Sequence, residues 1–168
     1  MYVVLVLLVL LMLIPLYIAF KWLFDDKFQP KSLLAIGQGF KRLIKRYKLS
    51  ISGAAVFRHR LLAMDRKVNK LVLIVYKNGI TWEKCVDLRE IISCQIEKQF
   101  NKVSGRIQKV NLELIYPNDG IINFSFFDEE MDDSRDVTSR IRKGQYWRRK
   151  IQYQISTVQL ANANQTVM

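Results

Sequence analysis

Residues 70–86 read KLVLIVYKNGITWEKCV. The run 71–76 is apolar without a break, which is how a strand buried on both faces reads. Asn78-Gly79 follows, and this pair supplies the two left-handed positions that a tight hairpin turn requires. Residues 80–86 then return, so the stretch predicts an antiparallel hairpin. Outward from it the apolar period stays near two. Residues 56–64 form a possible strand, joined to the hairpin by the polar loop DRKVN at 65–69. On the other side, 91–100 alternate, with Ile92, Cys94, Ile96 and Phe100 on one face. Residues 106–116 put Val110, Leu112, Leu114 and Tyr116 together; Asp119-Gly120 turns the chain, and Ile122, Phe124 and Phe126 line the next strand. Six or seven antiparallel strands with short connections result. No strand–helix–strand alternation occurs, which excludes a doubly wound parallel sheet.

The acidic loop DEEMDD at 128–133 precedes one long helix, about 134–158. Val137, Ile141, Gly144, Trp147, Ile151, Ile155 and Val158 recur at intervals of three and four and form its apolar seam. Asp133 or Ser134 caps its start. Its opposite face carries Arg140, Arg142, Lys143, Arg148, Arg149 and Lys150. Residues 159–168 are small and polar and read as a flexible tail.

Charge is unevenly distributed over the 168 residues. The net +12 comes chiefly from 31–60, with eight basic side chains and no acid, and from 134–168, with seven basic and one acidic. Half of the chain is hydrophobic, which excludes a disordered chain, and two cysteines exclude a disulfide scaffold. Residues 2–20, YVVLVLLVLLMLIPLYIAF, contain no charge. About 20 residues at ~1.5 Å each span the ~30 Å hydrocarbon core, so 1–24 read as a single transmembrane anchor. A cleaved signal peptide fits less well, because no basic residue precedes the run and Tyr17 would stand at −3 of a cut after Ala19. All flanking basic residues follow the run, which orients the rest of the chain to the cytoplasm. Residues 25–50 then read as a basic amphipathic segment beside the membrane. Leu33, Ile36, Phe40, Leu43, Ile44 and Tyr47 lie at helical spacing, with Lys41, Arg42, Lys45, Arg46 and Lys48 on the other side for an anionic lipid surface. The competing reading packs this helix on the domain that follows, residues 51–158.

A meander closed by one amphipathic helix resembles the pleckstrin-homology-like architecture. The segment LLAMDRKVNKLVLIVYKNGITWEKCVDLREIISCQIEK, with Asp87, Ile91, Ile92 and Ile96 at the entry to a strand, is similar to the bacterial PH-like domains of small membrane proteins. That resemblance implies an α+β fold in which an antiparallel PH-like barrel or sandwich is capped by the C-terminal helix. In lipid-binding members, basic residues on the first hairpin loop hold phosphate groups. Arg66, Lys67 and Lys70 occupy a similar loop here.

Catalytic chemistry has few candidates. His59 is the lone histidine and stands between Arg58 and Arg60. The two cysteines form no CxxC, and the acidic loop lacks the spacing of a calcium site, so no metal, cofactor, catalytic residue or small-molecule substrate is implied. What remains is a non-enzymatic, membrane-anchored adaptor or regulatory module for a protein partner, with Arg140, Arg142, Lys143, Arg148, Arg149 and Lys150 as its partner-binding face. An anionic-headgroup sensor using Arg66, Lys67 and Lys70 is the alternative. A nucleic-acid tether through the helix face, where Tyr146, Trp147 and Tyr153 are interleaved, ranks below both, because aromatics at helical spacing are first of all core residues.

Overall fold

The computed structural model describes residues 30–165. Helix α1 (Pro30–Tyr47) leads into seven strands: β1 (Gly53–Phe57), β2 (Arg60–Asp65), β3 (Lys70–Lys77), β4 (Ile80–Asp87), β5 (Ser93–Phe100), β6 (Ile107–Ile115) and β7 (Ile121–Asp128). A 3-10 turn, Ser134–Asp136, then opens helix α2 (Val137–Gln165), which runs through most of the residues expected as a tail. The strands form two antiparallel sheets, one in the order β1-β2-β3-β4 and one in the order β5-β6-β7.

These observations correct the expected fold in two respects. The first is the single-pass architecture. Among the described residues no helix is long and apolar enough to cross a membrane. The span expected over 1–24 lies outside the described residues, and the single-pass reading has no support in the structure. The second is the strand arrangement: where one six- or seven-stranded PH-like barrel or sandwich is expected, the strands divide into separate sheets of four and three. The sheet breaks after β4, because Asp87 turns the chain into a 3-10 turn at Leu88–Glu90 by accepting a hydrogen bond from the Arg89 N–H. The chain then joins the other sheet, with the Ile92 N–H donating 2.8 Å to the Ile115 carbonyl. This irregular entry buries Ile91 and turns Ile92 outward, although the alternation placed Ile92 with Cys94 and Ile96. The single strand expected over 56–64 is likewise a hairpin. It turns at Arg58-His59, a pair without the Gly, Asn or Pro that usually marks such a turn.

The main core lies between the two sheets and under α2. Leu62, Met64, Leu71 and Leu73 of the first sheet meet Leu112, Leu114, Phe124 and Phe126 of the second, and Trp147, Ile151 and Ile155 of α2 close the cluster. Phe57, Phe124 and Phe126 pack edge-on or tilted, with centroids 5.2 to 6.4 Å apart, a geometry favoured by the ring quadrupoles. Gly144 permits the close approach of α2, since a Cβ there would lie 3.2 Å from both Ile96 and Phe126. A second core covers the outer face of the first sheet. There Ile36 and Leu43, with Phe40 and Ile44 beside them, pack on Leu61, Ala63, Val72 and Ile74. Ile36, Phe40, Leu43 and Ile44 of α1 are therefore occupied by the sheet, as in the packed-helix alternative, while Leu34 and Tyr47 remain exposed.

One buried ion pair ties the first sheet to the loop before α2. Arg60 donates 2.7 Å to Asp132, and the two side chains are only 1% and 0% exposed. The same Asp132 oxygen accepts from the Asp128 N–H at 2.9 Å. Removing one partner of such a pair leaves the other charged and buried, at a cost of about 3–5 kcal/mol. Asp132→Ala should therefore lower the melting temperature sharply. Lys77→Ala, which breaks the exposed pair with Glu130, should cost under about 1 kcal/mol. Equal melting shifts in thermal denaturation would contradict this ranking. Trp147 is 3% exposed at the centre of the helix–sheet contact, so Trp147→Ala should cost about 3–5 kcal/mol. A wild-type melting curve for that variant would mean that α2 does not hold the sheets together.

Candidate functional site

The basic residues singled out in the sequence fall on three different surfaces. Lys41, Lys45 and Arg46 lie exposed along α1, Lys48 is exposed just past its end, and Arg42 pairs with Glu83 of β4. At the start of β3, Lys70 donates 2.7 Å to Asp87, and in the β2–β3 loop Lys67 is exposed to solvent. Arg140 is buried, lies 3.7 Å from Asp136 and places its guanidinium 5.1 Å from the centroid of Phe57. Lys143 approaches the same ring at 5.7 Å, and Arg142 is exposed. The helix face is thus divided, with Arg140 and Lys143 serving the core margin and Arg148, Arg149 and Lys150 left toward solvent.

The structure joins two clusters that are far apart in sequence. Arg66 of the β2–β3 loop and Tyr146, Arg149, Lys150 and Tyr153 of α2 line one groove of about 410 Å³. On the other side of Arg149, Gln95, Ile96, Lys98, Gln145, Arg148 and Arg149 line a second groove of about 520 Å³ between β5 and α2. No acidic residue lines either groove. Lys150 stands 4.5 Å from the centroid of Tyr146 and 5.7 Å from that of Trp147, so the ring faces hold the ammonium in place by cation–π attraction. Tyr146 and Tyr153 are well exposed while Trp147 is core. Two of the three interleaved aromatics are therefore surface residues, against the expectation that all belong to the core.

Local bonding fixes the loop side of the first groove. Asp65 is buried and accepts from the Ser50 N–H, from the Lys67 N–H at 2.9 Å and from the Val68 N–H at 3.4 Å, so one carboxylate shapes the whole turn. Asn69 adopts a left-handed conformation, φ 55°, which Asn tolerates better than most residues. From the helix side, the Gln154 amide donates 3.2 Å to the Arg66 carbonyl and 2.6 Å to the Asn69 side chain. Sequence periodicity gave no signal for Gln154, a polar residue beside the seam. Its mark is visible only in three dimensions.

The titratable groups outside the grooves serve structure. Asp87 accepts from Arg89 Nε at 2.9 Å and Nη2 at 2.5 Å as well as from Lys70. Bonding to Arg89, opposed by burial and helped by Lys70, holds its carboxyl well below the usual carboxylate range. Burial raises the Cys94 thiol to about 11, so at neutral pH it is a protonated apolar group. Cys94 faces the core between the sheets and Cys85 packs against the α1 side, so the two are not redox partners. Burial also lowers the pKa of His59, with Arg60 adding to the effect. Among the described residues no cluster of three metal-ligating side chains occurs. No family model, curated protein or solved structure matches the chain.

A depressed carboxyl pKa gives a definite pH dependence. The contribution of Asp87 is present above the unfolded value, roughly 3.9, and is lost as pH falls through the lower folded value. Asp87→Asn should therefore lower the melting temperature at pH 7, and the gap from wild type should narrow steadily in acid below about pH 4. A gap that stays constant down to the acid limit of folding would show that the carboxylate contributes no charge-dependent stability.

Proposed function

We propose that this chain is a non-enzymatic interaction module, an adaptor or regulatory subunit, that holds an acidic protein partner on the basic face of α2. One observation carries the proposal: a loop arginine and two helix cations, with two exposed tyrosines, converge on one groove in which no lining residue is acidic. Tyr and Arg are the residue types that anchor protein interfaces, since both bury large area around a polar end. The hydrogen bonds from Gln154 hold the loop and helix in register before any partner arrives, which lowers the ordering cost of binding. The resemblance to bacterial PH-like domains belongs to the same proposal. What supports it is the order of four strands, three strands and a closing helix.

The headgroup alternative is weaker on this geometry. Of its three residues, Lys70 is committed to Asp87 and Lys67 does not line the groove, which leaves Arg66. A labelled hexaglutamate peptide is a sufficient probe of the acidic-partner reading. It should bind the chain with an affinity that falls with salt, as a screened attraction does. Arg66→Glu and Arg149→Glu should each weaken it roughly fivefold, the equivalent of ~1 kcal/mol. Lys67→Glu should matter less than either. If fluorescence anisotropy finds all three variants equal to wild type, the groove is not the binding surface.

A further inference from the structure

We infer that the second groove is a strand-addition site, in which the free edge of β5 pairs with an extended acidic segment of the partner. The inference rests on the reading of α2 as a partner-binding face and adds the chemistry of what is bound. Strand β5 is an edge of the three-stranded sheet, with β6 on one side. Its other side is marked by Cys94, whose N–H donates 3.2 Å to the side-chain oxygen of Gln152 on α2. The main chain of Cys94 therefore points away from β6. In an antiparallel ladder the direction alternates, so the N–H and C=O of Ile96 and Lys98 point the same way. Among the described residues neither main chain makes a backbone hydrogen bond outside the β5–β6 ladder.

The helix covers the edge at one end only. At Cys94 the contact is closed by Gln152 and by the thiol, which donates 3.4 Å to the Arg148 carbonyl. Beyond it the groove of about 520 Å³ separates Ile96 and Lys98 from Gln145, Arg148 and Arg149. A row of unpaired main-chain groups is a template for another strand. The irregularity between Gln99 and Phe100 ends the regular edge, so the added strand is short and is centred on Ile96 to Lys98. That gives two edge residues, each offering one donor and one acceptor.

Charge selects the occupant. Lys98, Arg148 and Arg149 are three of the six lining residues and none of the six is acidic, so the incoming segment carries carboxylates. A second copy of this chain would bring its own Lys98 to the same edge, and like charges facing across paired strands oppose association. A nucleic acid could answer the charge but has no main-chain ladder to pair with Ile96 and Lys98.

The test uses the full chain and the end-blocked heptapeptide Glu-Val-Glu-Val-Glu-Val-Glu. Two further versions are N-methylated, one on the Glu residues and one on the Val residues. Pairing requires the N–H groups of one parity alone. One methylated version should therefore bind about tenfold more weakly, and the other should bind about as well as the parent. Hydrogen exchange at the Ile96 and Lys98 amides should slow by about tenfold on saturation. Equal binding by both methylated versions, or heptaglutamate binding as tightly without protecting these amides, would overturn strand addition while leaving the basic face as the partner surface. If Arg149→Glu also leaves every peptide unaffected, both readings fail together. Protection of the same amides that grows with protein concentration, without peptide, would assign the edge to a second copy. An oligothymidylate that displaces the parent peptide and protects neither amide would assign the face to nucleic acid.

Discussion

Leu71, Val72, Leu73 and Ile74 are consecutive and fully inaccessible to solvent, so the strand they form has no face it can turn to water. Successive side chains on a strand point to opposite sides, and both sides must then be covered by something apolar. Inside, the second sheet and α2 do this; outside, α1 does. The layered architecture follows from that demand. It also explains why an amphipathic helix with four basic residues in its last turns lies against protein: its apolar stripe matches the outer face of β2 and β3.

The same constraint sets where the candidate surfaces can be. With both faces of the first sheet covered, what remains for a partner are strand edges, loops and the outer side of α2. The two grooves use all three. Their walls are held by groups that themselves bind nothing: Asp65 shapes the loop, Gln154 ties it to the helix, and Gln152 pins the helix to β5. Cationic side chains on so fixed a frame lose little freedom when a carboxylate arrives.

Much of the strand content was legible because it is written locally. The run at 71–76 and Asn78-Gly79 mark a hairpin whose observed register pairs Val75 with Trp82 and Lys77 with Ile80. The seam of α2 was equally plain, since Trp147, Ile151, Ile155 and Val158 follow helical spacing and are buried. What was not legible depends on groups distant in sequence. The Arg58-His59 turn has no turn residue, and the break into two sheets depends on one Asp87 carboxylate. The first groove depends on Gln154 reaching residues 85 and 88 positions away. The basic amphipathic pattern of 32–48 fits a lipid surface and a protein face equally well. The strand faces that α1 covers were visible in the sequence, but no periodicity states which helix will cover them.

The Arg60–Asp132 pair spans 72 positions of the chain, and its partners are made at very different times. During synthesis β1 to β4 emerge with Arg60 already in place, while Asp132 and α2 are still to come. A fully buried guanidinium needs its counter-ion, and here the segment that brings Asp132 is also the one whose Met131 lies against Arg60. The inner face of the first sheet stays open until nearly the whole chain has been translated. That interval, with apolar strands exposed and a free β-sheet edge, is where nascent chains meet chaperones or one another. The inner face is covered only when β6, β7 and α2 are present, and the acidic loop between them brings the counter-ion with it.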